Sequence, residues 1–194
     1  MFQCDSPLAM QLFKNDYCSY LNSTDIYDPD LPLTYSKAHG GSMIMWKALH
    51  DPHVSIIPVG TSSFSPIKFS PPGHPTSIHI AVYLPTQGKE AEFLDEISSL
   101  ILCIEQLSEQ YPEALFYLRG DFNVSSTNKL RMCQIQHLCH QKELVSVSIP
   151  HKTYHHFVGG GKSDSDLDKI FFSKKAIPEE HYLQEGKSSC KFTS

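Results

Sequence analysis

The stretch "LRGDFNVS", residues 118 to 125, decides how this chain is read. It closes a short apolar run (Leu115, Phe116, Tyr117, Leu118) with Gly120, Asp121, Phe122 and Asn123. Alternate side chains of an extended segment share a face, so Asp121 and Asn123 are expected to point one way and Phe122 into the core. A carboxylate only accepts hydrogen bonds, whereas a carboxamide donates and accepts. Side by side they suit a hydrated Mg²⁺ and a phosphate oxygen. Gly, Asp and Asn also favour turns for backbone reasons. On these residues alone, a strand-to-loop turn and a ligand pair both stand.

Working outward, "TSIHIAVYLP" (76 to 85) alternates, with Ile78, Ile80, Val82 and Leu84 on one face and His79, Ala81 and Tyr83 on the other. That pattern predicts a strand, stopped by Pro85. "EAEFLDEISSLILCIEQLSEQ" (90 to 110) carries Phe93, Ile97, Leu100, Ile101, Ile104 and Leu107 at helical spacing and predicts a helix. A second helix is expected over "NKLRMCQIQHLCHQKE" (128 to 143), with Leu130, Cys133 and His137 on one stripe. "GGSMIMW", "VSIIPV", "LVSVSI" and "LDKIFF" read as further strands, and "FSPIKFSPPGHP" (64 to 75) as a Pro-rich connection. Strands with two helices between them suit packed sheets flanked by helices.

The 194 residues are enough for one core, and their 40% hydrophobic and 19% charged content is that of an ordinary globular chain. A net charge of −5 argues against a generally basic nucleic-acid coat, although not against a local basic groove. Six scattered cysteines without a CxxC pair point to free thiols in a reducing compartment. Polar residues interrupt the N-terminal region early, and no apolar run is long enough for a bilayer. The expectation is therefore an intracellular chain, nuclear or cytoplasmic, with no signal peptide, transmembrane segment or membrane partner. Cys133, His137, Cys139 and His140 on one helix do not occupy tetrahedral corners, so no structural zinc is expected.

The second informative stretch is "HKTYHHFVGGGKSDSDLDKIFFS" (151 to 173), where Asp164, Asp166 and Asp168 alternate into an apolar strand. Taken alone, it reads equally as a hairpin with a solvated acidic start. A chain with two acid-tipped strand ends resembles a site for metal-assisted phosphodiester cleavage, which draws oxygen ligands from several strands. Together, "SIHIAVYLPT", a long helix, "LRGDFN" and "TYHHFVGGGKSDSDLDKIFFS" resemble the endonuclease domain of non-LTR retrotransposons, within the endonuclease/exonuclease/phosphatase superfamily that includes the apurinic/apyrimidinic endonucleases. The resemblance covers residues 40–173, with 1–39 an irregular N-terminal segment and 174–194 a divergent or truncated tail.

It implies an α+β fold, a four-layer α/β/β/α sandwich of two mixed sheets, incomplete at both chain ends. It also implies a metal-dependent, DNA-directed phosphodiester hydrolase using Mg²⁺. By that resemblance Tyr83 contacts the scissile phosphate, Asp121 aligns or deprotonates the attacking water, and Asn123 steadies the same phosphate. Thr153 lies beside the phosphate-binding surface, and Asp168 supports the metal or a catalytic histidine. His155 and His156 replace an aromatic often found after the threonine, and read either as lining the DNA side of the cleft or as a structural pair. Asp121 and Asp168 are the candidate metal ligands, and with Tyr83 they are expected to converge on one cleft. The departures are specific. Residues 1–38 contain no Glu to match the family's metal-binding carboxylate, and no Ser-Asp-His follows Ser173. Three readings follow: a weakened endonuclease, a non-catalytic remnant of its fold, and a phosphatase of the same superfamily.

Overall fold

The computed structural model describes residues 16–23, 41–125, 127–147, 154–158, 161–165 and 168–176. In chain order the elements are β1 (Tyr17–Ser23), β2 (Gly41–Lys47), a 3-10 turn (Ala48–His53), β3 (Val54–Ile56), β4 (Phe64–Phe69) and β5 (Ser77–Tyr83). Helix α1 (Glu90–Gln110), β6 (Leu115–Asp121), helix α2 (Lys129–Gln141) and β7 (Leu144–Val147) follow. The order ends with β8 (Tyr154–Val158), β9 (Gly161–Ser165), β10 (Asp168–Ser173) and a short 3-10 turn (Lys174–Ala176).

A six-stranded mixed sheet in the order β3-β4-β5-β6-β10-β7 forms the centre. Strands β5 and β6 run parallel, as the long α1 crossover between them requires, and the other pairings are antiparallel. Ile78, Ile80, Val82, Phe116, Leu118 and Phe171 line the face packed on the helices. Helix α1 presents Phe93, Ile97, Leu100, Cys103, Ile104 and Leu107 to that core, close to the predicted stripe. Leu100 is fully buried at its centre. Leu100→Ala is expected to lower unfolding stability by about 3 kcal/mol, read as a shift in urea midpoint at unchanged slope.

The opposite face is partly covered by the antiparallel pair β1–β2, which packs over β4 and β5. Ser42 Oγ meets Ser65 Oγ at 2.6 Å across this contact, and the Asn22 amide donates to the Thr61 carbonyl at 2.6 Å. A cavity of about 500 Å³ lies between the two sheets, walled by Ile44, Trp46, Ile67, Phe69, His79 and Arg119 among others. The architecture is the expected α+β sandwich, and the described residues supply three of its layers: helices, the six-stranded sheet and the two-stranded sheet. The mixed character belongs to the six-stranded sheet. A separate hairpin, β8–β9, pairs His155 with Asp164. No helix among the described residues is long and apolar enough to cross a membrane.

Four local expectations are corrected. Tyr17–Ser23 lies in the segment expected to be irregular but is a strand, with Cys18, Tyr20 and Asn22 opposite Trp46, Ile44 and Ser42. Its Ser and Asn residues hide the alternation, and pairing with β2 supplies the order that local pattern lacks. "FSPIKF" is a strand rather than a connection. Pro66 is tolerated because it lies opposite Ile57, past the end of β3: its carbonyl accepts from the Ile57 amide at 3.2 Å, and its missing N–H would fall on that same side. Strand β3 accordingly covers less than "VSIIPV". In α2 the buried stripe is Arg131, Ile135 and Leu138, whereas Leu130 is 53% exposed and Cys133 faces outward.

Candidate active site

Three of the candidate residues occupy one line across the central sheet. Tyr83 is the register partner of Asp121 in the parallel β5–β6 pair, and Asp168 is the partner of Asp121 in the antiparallel β6–β10 pair. Laterally paired residues project to the same face, so Tyr83, Asp121 and Asp168 form a row at the edge of the face opposite the helices. The next row back is Ala81, Arg119 and Ile170, and behind it lie His79, Tyr117 and Phe172.

Asp121 is buried, at 9% exposure. Burial raises the pKa of its carboxyl above the ordinary value, a hydrogen bond from the Asn123 amide pulls it back, and the Asp168 charge beside it raises it again. Two like charges side by side are relieved by a shared proton or by a cation.

Asn123 does not continue the strand. It sits at φ 49°, a left-handed conformation that asparagine tolerates better than most residues. Its N–H donates to Asp121 Oδ1 at 2.8 Å, and its Nδ2 donates to the Leu84 carbonyl at 2.7 Å. The two candidates stay adjacent through a turn, so the strand alternation expected of them ends at Phe122, which is buried in the core against Phe171. Thr153 lies outside the described residues. His155 is in β8, but its side chain also lies outside the description.

Arg131 is the residue that sequence reasoning missed. It is completely buried and its guanidinium gathers four acceptors. Nε donates to Glu90 Oε2 at 2.8 Å, Nη1 to the carbonyls of Pro85 at 2.6 Å and Asn123 at 3.1 Å, and Nη2 to the Thr86 carbonyl at 2.8 Å. The Phe93 ring lies beneath it, 4.2 Å from the guanidinium carbon to the ring centroid. The available signal was spacing: Arg131, Ile135 and Leu138 share one helical stripe, and an arginine on an apolar stripe needs buried acceptors.

His79 is a satisfied residue of the sheet face. Arginine can only donate, so Arg119 Nη2 at 3.1 Å makes Nδ1 the acceptor, leaving Nε2–H to donate to Ser77 Oγ at 2.9 Å. Its ring stacks on Tyr117 at 5.0 Å. Burial and the Arg119 charge lower its pKa to about 4, so it is neutral at pH 7.

Among the described residues, no group of three or more His, Cys, Asp or Glu side chains gathers as a metal cluster. Asp121 and Asp168 remain as one pair of carboxylates on neighbouring strands.

No family model and no curated protein sequence matches the chain. Solved structures do. The chain is similar to the endonuclease domain of TRAS1, a telomere-specific non-LTR retrotransposon, at 12% identity over 87% of this chain and 77% of that one, with a TM-score of 0.55. It is similar to D. rerio TDP2, solved with a single-strand DNA product, at 14% identity over 89% and 70% of the two chains, with a TM-score of 0.53. It is also similar to ANGEL2, a 2′,3′-cyclic phosphatase, at 13% identity over 88% of this chain and 66% of that one, with a TM-score of 0.57. An α+β sandwich with an acid-tipped row on its central strands, superposing on these three proteins over most of its length, has the endonuclease/exonuclease/phosphatase fold.

Proposed function

We propose that the chain is a retroelement-type, DNA-directed phosphodiesterase domain with an attenuated catalytic site. The observation that carries this reading is the row Tyr83–Asp121–Asp168 on three adjacent strands. A phosphate laid along it meets a hydroxyl donor at one end and two carboxylates at the other. The carboxylate pair fits a hydrated Mg²⁺, which takes one or two carboxylates and fills its shell with water and phosphate oxygens. Bound there, the cation would offset phosphate charge in the transition state.

The chain's own residues divide the remaining work. The Tyr83 hydroxyl donates to a non-bridging phosphate oxygen and fixes the phosphorus in front of Asp121. Asn123 holds Asp121 Oδ1 through its backbone N–H, which leaves Oδ2 to align a water and take its proton. Arg119 is exposed on the same face, two residues before Asp121, and offers a cation to a flanking phosphate of the strand.

The same residues predict slow turnover. Residues 1–38 contain no Glu to serve as a further metal carboxylate, and residues 174–194 contain no Ser-Asp-His to protonate a leaving oxygen. Loss of an acid/base group alone commonly removes a factor of about 10² to 10⁴. A supercoiled-plasmid nicking assay with Mg²⁺ tests this reading. Slow nicking by the chain, absent from Asp121→Ala, is the expected result. Equal background in both would move the chain to the second reading, a binding module that keeps the fold without the reaction. A phosphatase is the less favoured reading because "TYHHFVGGGKSDSDLD" resembles the retroelement branch.

A further inference from the structure

We propose that Arg131 is a positioning residue for the candidate site, a buried clamp that sets the distance between the ends of β5 and β6. Its use in catalysis rests on the phosphodiesterase reading, but the clamp itself is a geometric statement. The two loops that carry the site leave the sheet side by side. One follows Tyr83 through Leu84, Pro85 and Thr86, and the other follows Asp121 through Phe122 and Asn123. A single guanidinium bridges the main chains of the two loops. It donates to their carbonyls, at Pro85 and Thr86 on one and Asn123 on the other.

The bonds then run to the reacting groups. The Asn123 carbonyl is held by Arg131, its N–H by the Asp121 carboxylate, and its side-chain amide by the Leu84 carbonyl. The Leu84 amide donates to the Asp121 carbonyl at 2.9 Å, closing the circuit between the loops. Asn123 keeps a positive φ inside this circuit, so releasing its carbonyl frees the turn to relax. Glu90, at the start of α1, supplies the counter-charge at the rim, and Arg131 holds its carboxyl below the usual range. The fork geometry is essential. One planar group reaches three carbonyls and a carboxylate, whereas a lysine ammonium is a single point with three donors.

The test compares the chain with its Arg131→Lys and Leu130→Ala variants, the latter altering an exposed neighbour on the same helix. Amide hydrogen exchange is followed at a temperature where circular dichroism shows all three folded, and Mn²⁺ titration serves as the cation probe. For Arg131→Lys, exchange at Asn123 is expected to quicken at least tenfold while Ile80 and Leu118 in the sheet stay protected. The Mn²⁺ dissociation constant should weaken about tenfold, as for loss of an outer-shell partner. Uniform loss of protection across the sheet, or unchanged exchange at Asn123, would reduce Arg131 to a general stabiliser and overturn the proposal. If the unaltered chain binds no Mn²⁺, the metal reading fails, and the exchange pattern alone decides the clamp. A variant too unstable to measure is replaced by Glu90→Gln, which leaves the fork in place and should quicken Asn123 by a smaller factor. No change there would also count against the clamp.

Discussion

Gly120→Ala is expected to abolish the folded state or remove most of its stability. Gly120 sits at φ 140°, where L side chains strain the backbone. A Cβ there would lie 2.0 Å from the Val82 carbonyl oxygen, with the Val82 carbonyl carbon at 3.0 Å and its nitrogen at 3.1 Å. The methyl therefore points into the neighbouring strand, and the obstructing atoms are backbone in the middle of a sheet. Overpacking commonly costs about 1 to 3 kcal/mol when side chains can shift. Here β5 itself must move, with a further cost of about 1 kcal/mol for the dihedral. Stability of a domain this size is about 5 to 15 kcal/mol, so the change consumes a large part of it.

Gly88→Ala is the control. Gly88 also has positive φ, at 94°, but nothing lies within 4 Å of its Cβ position. Melting temperatures separate the two effects: a modest drop for Gly88→Ala, and no cooperative transition for Gly120→Ala. Similar melting for both would mean that β5 and β6 do not approach as described. The same approach brings Tyr83 beside Asp121, so the glycine of "RGDFN" spaces the site as well as the sheet.

The second large effect is acid lability centred on His79. Its pKa falls from an ordinary 6.5 to about 4 because burial, then the Arg119 charge, disfavour the imidazolium. The unfolded chain therefore binds more protons than the folded one between these values. Stability from this group is complete above pH 6.5 and is lost as pH falls towards 4. At about 1.4 kcal/mol per pH unit, the full loss is about 3 kcal/mol, or roughly 6 to 12 °C in melting temperature for a domain of this length.

Asp121 acts in the opposite sense. Its raised pKa makes the folded state favour the protonated form, so its contribution is lost as pH rises above the ordinary carboxylate range. Comparison with His79→Phe isolates the histidine. The phenyl ring keeps the stack on Tyr117 and removes the titration, so the decline from pH 7 to 4.5 should flatten. A decline as steep in His79→Phe would assign the acid sensitivity elsewhere.

Much of the fold and the candidate site was legible in the chain. Period-two alternation fixed β5 and the face on which Tyr83 lies, because neighbouring side chains in a strand must take opposite sides. Apolar spacing fixed α1 to within one core position, Cys103 being buried where Ile101 was expected. The run into Gly120 and Asp121 marked β6, and the order of motifs pointed to the fold that the solved structures share. Local pattern failed where pairing, rather than propensity, makes the element. Strand β1 is rich in polar residues and exists through β2. Strand β4 carries Pro66 and survives because its missing donor falls beyond the end of β3.

What tertiary structure alone decided is lateral. Sequence places Tyr83, Asp121 and Asp168 at strand ends, but the order β5-β6-β10 and the register of each ladder put them in one row. Register depends on contacts between segments tens of residues apart, which no window along the chain contains. Arg131 is the sharpest case. Its four acceptors come from two loops and the start of α1, 8 to 46 residues away in sequence, so its burial looks like an error of pattern until those segments are brought together. A guanidinium can leave water only where the fold has already gathered enough oxygen atoms to replace it.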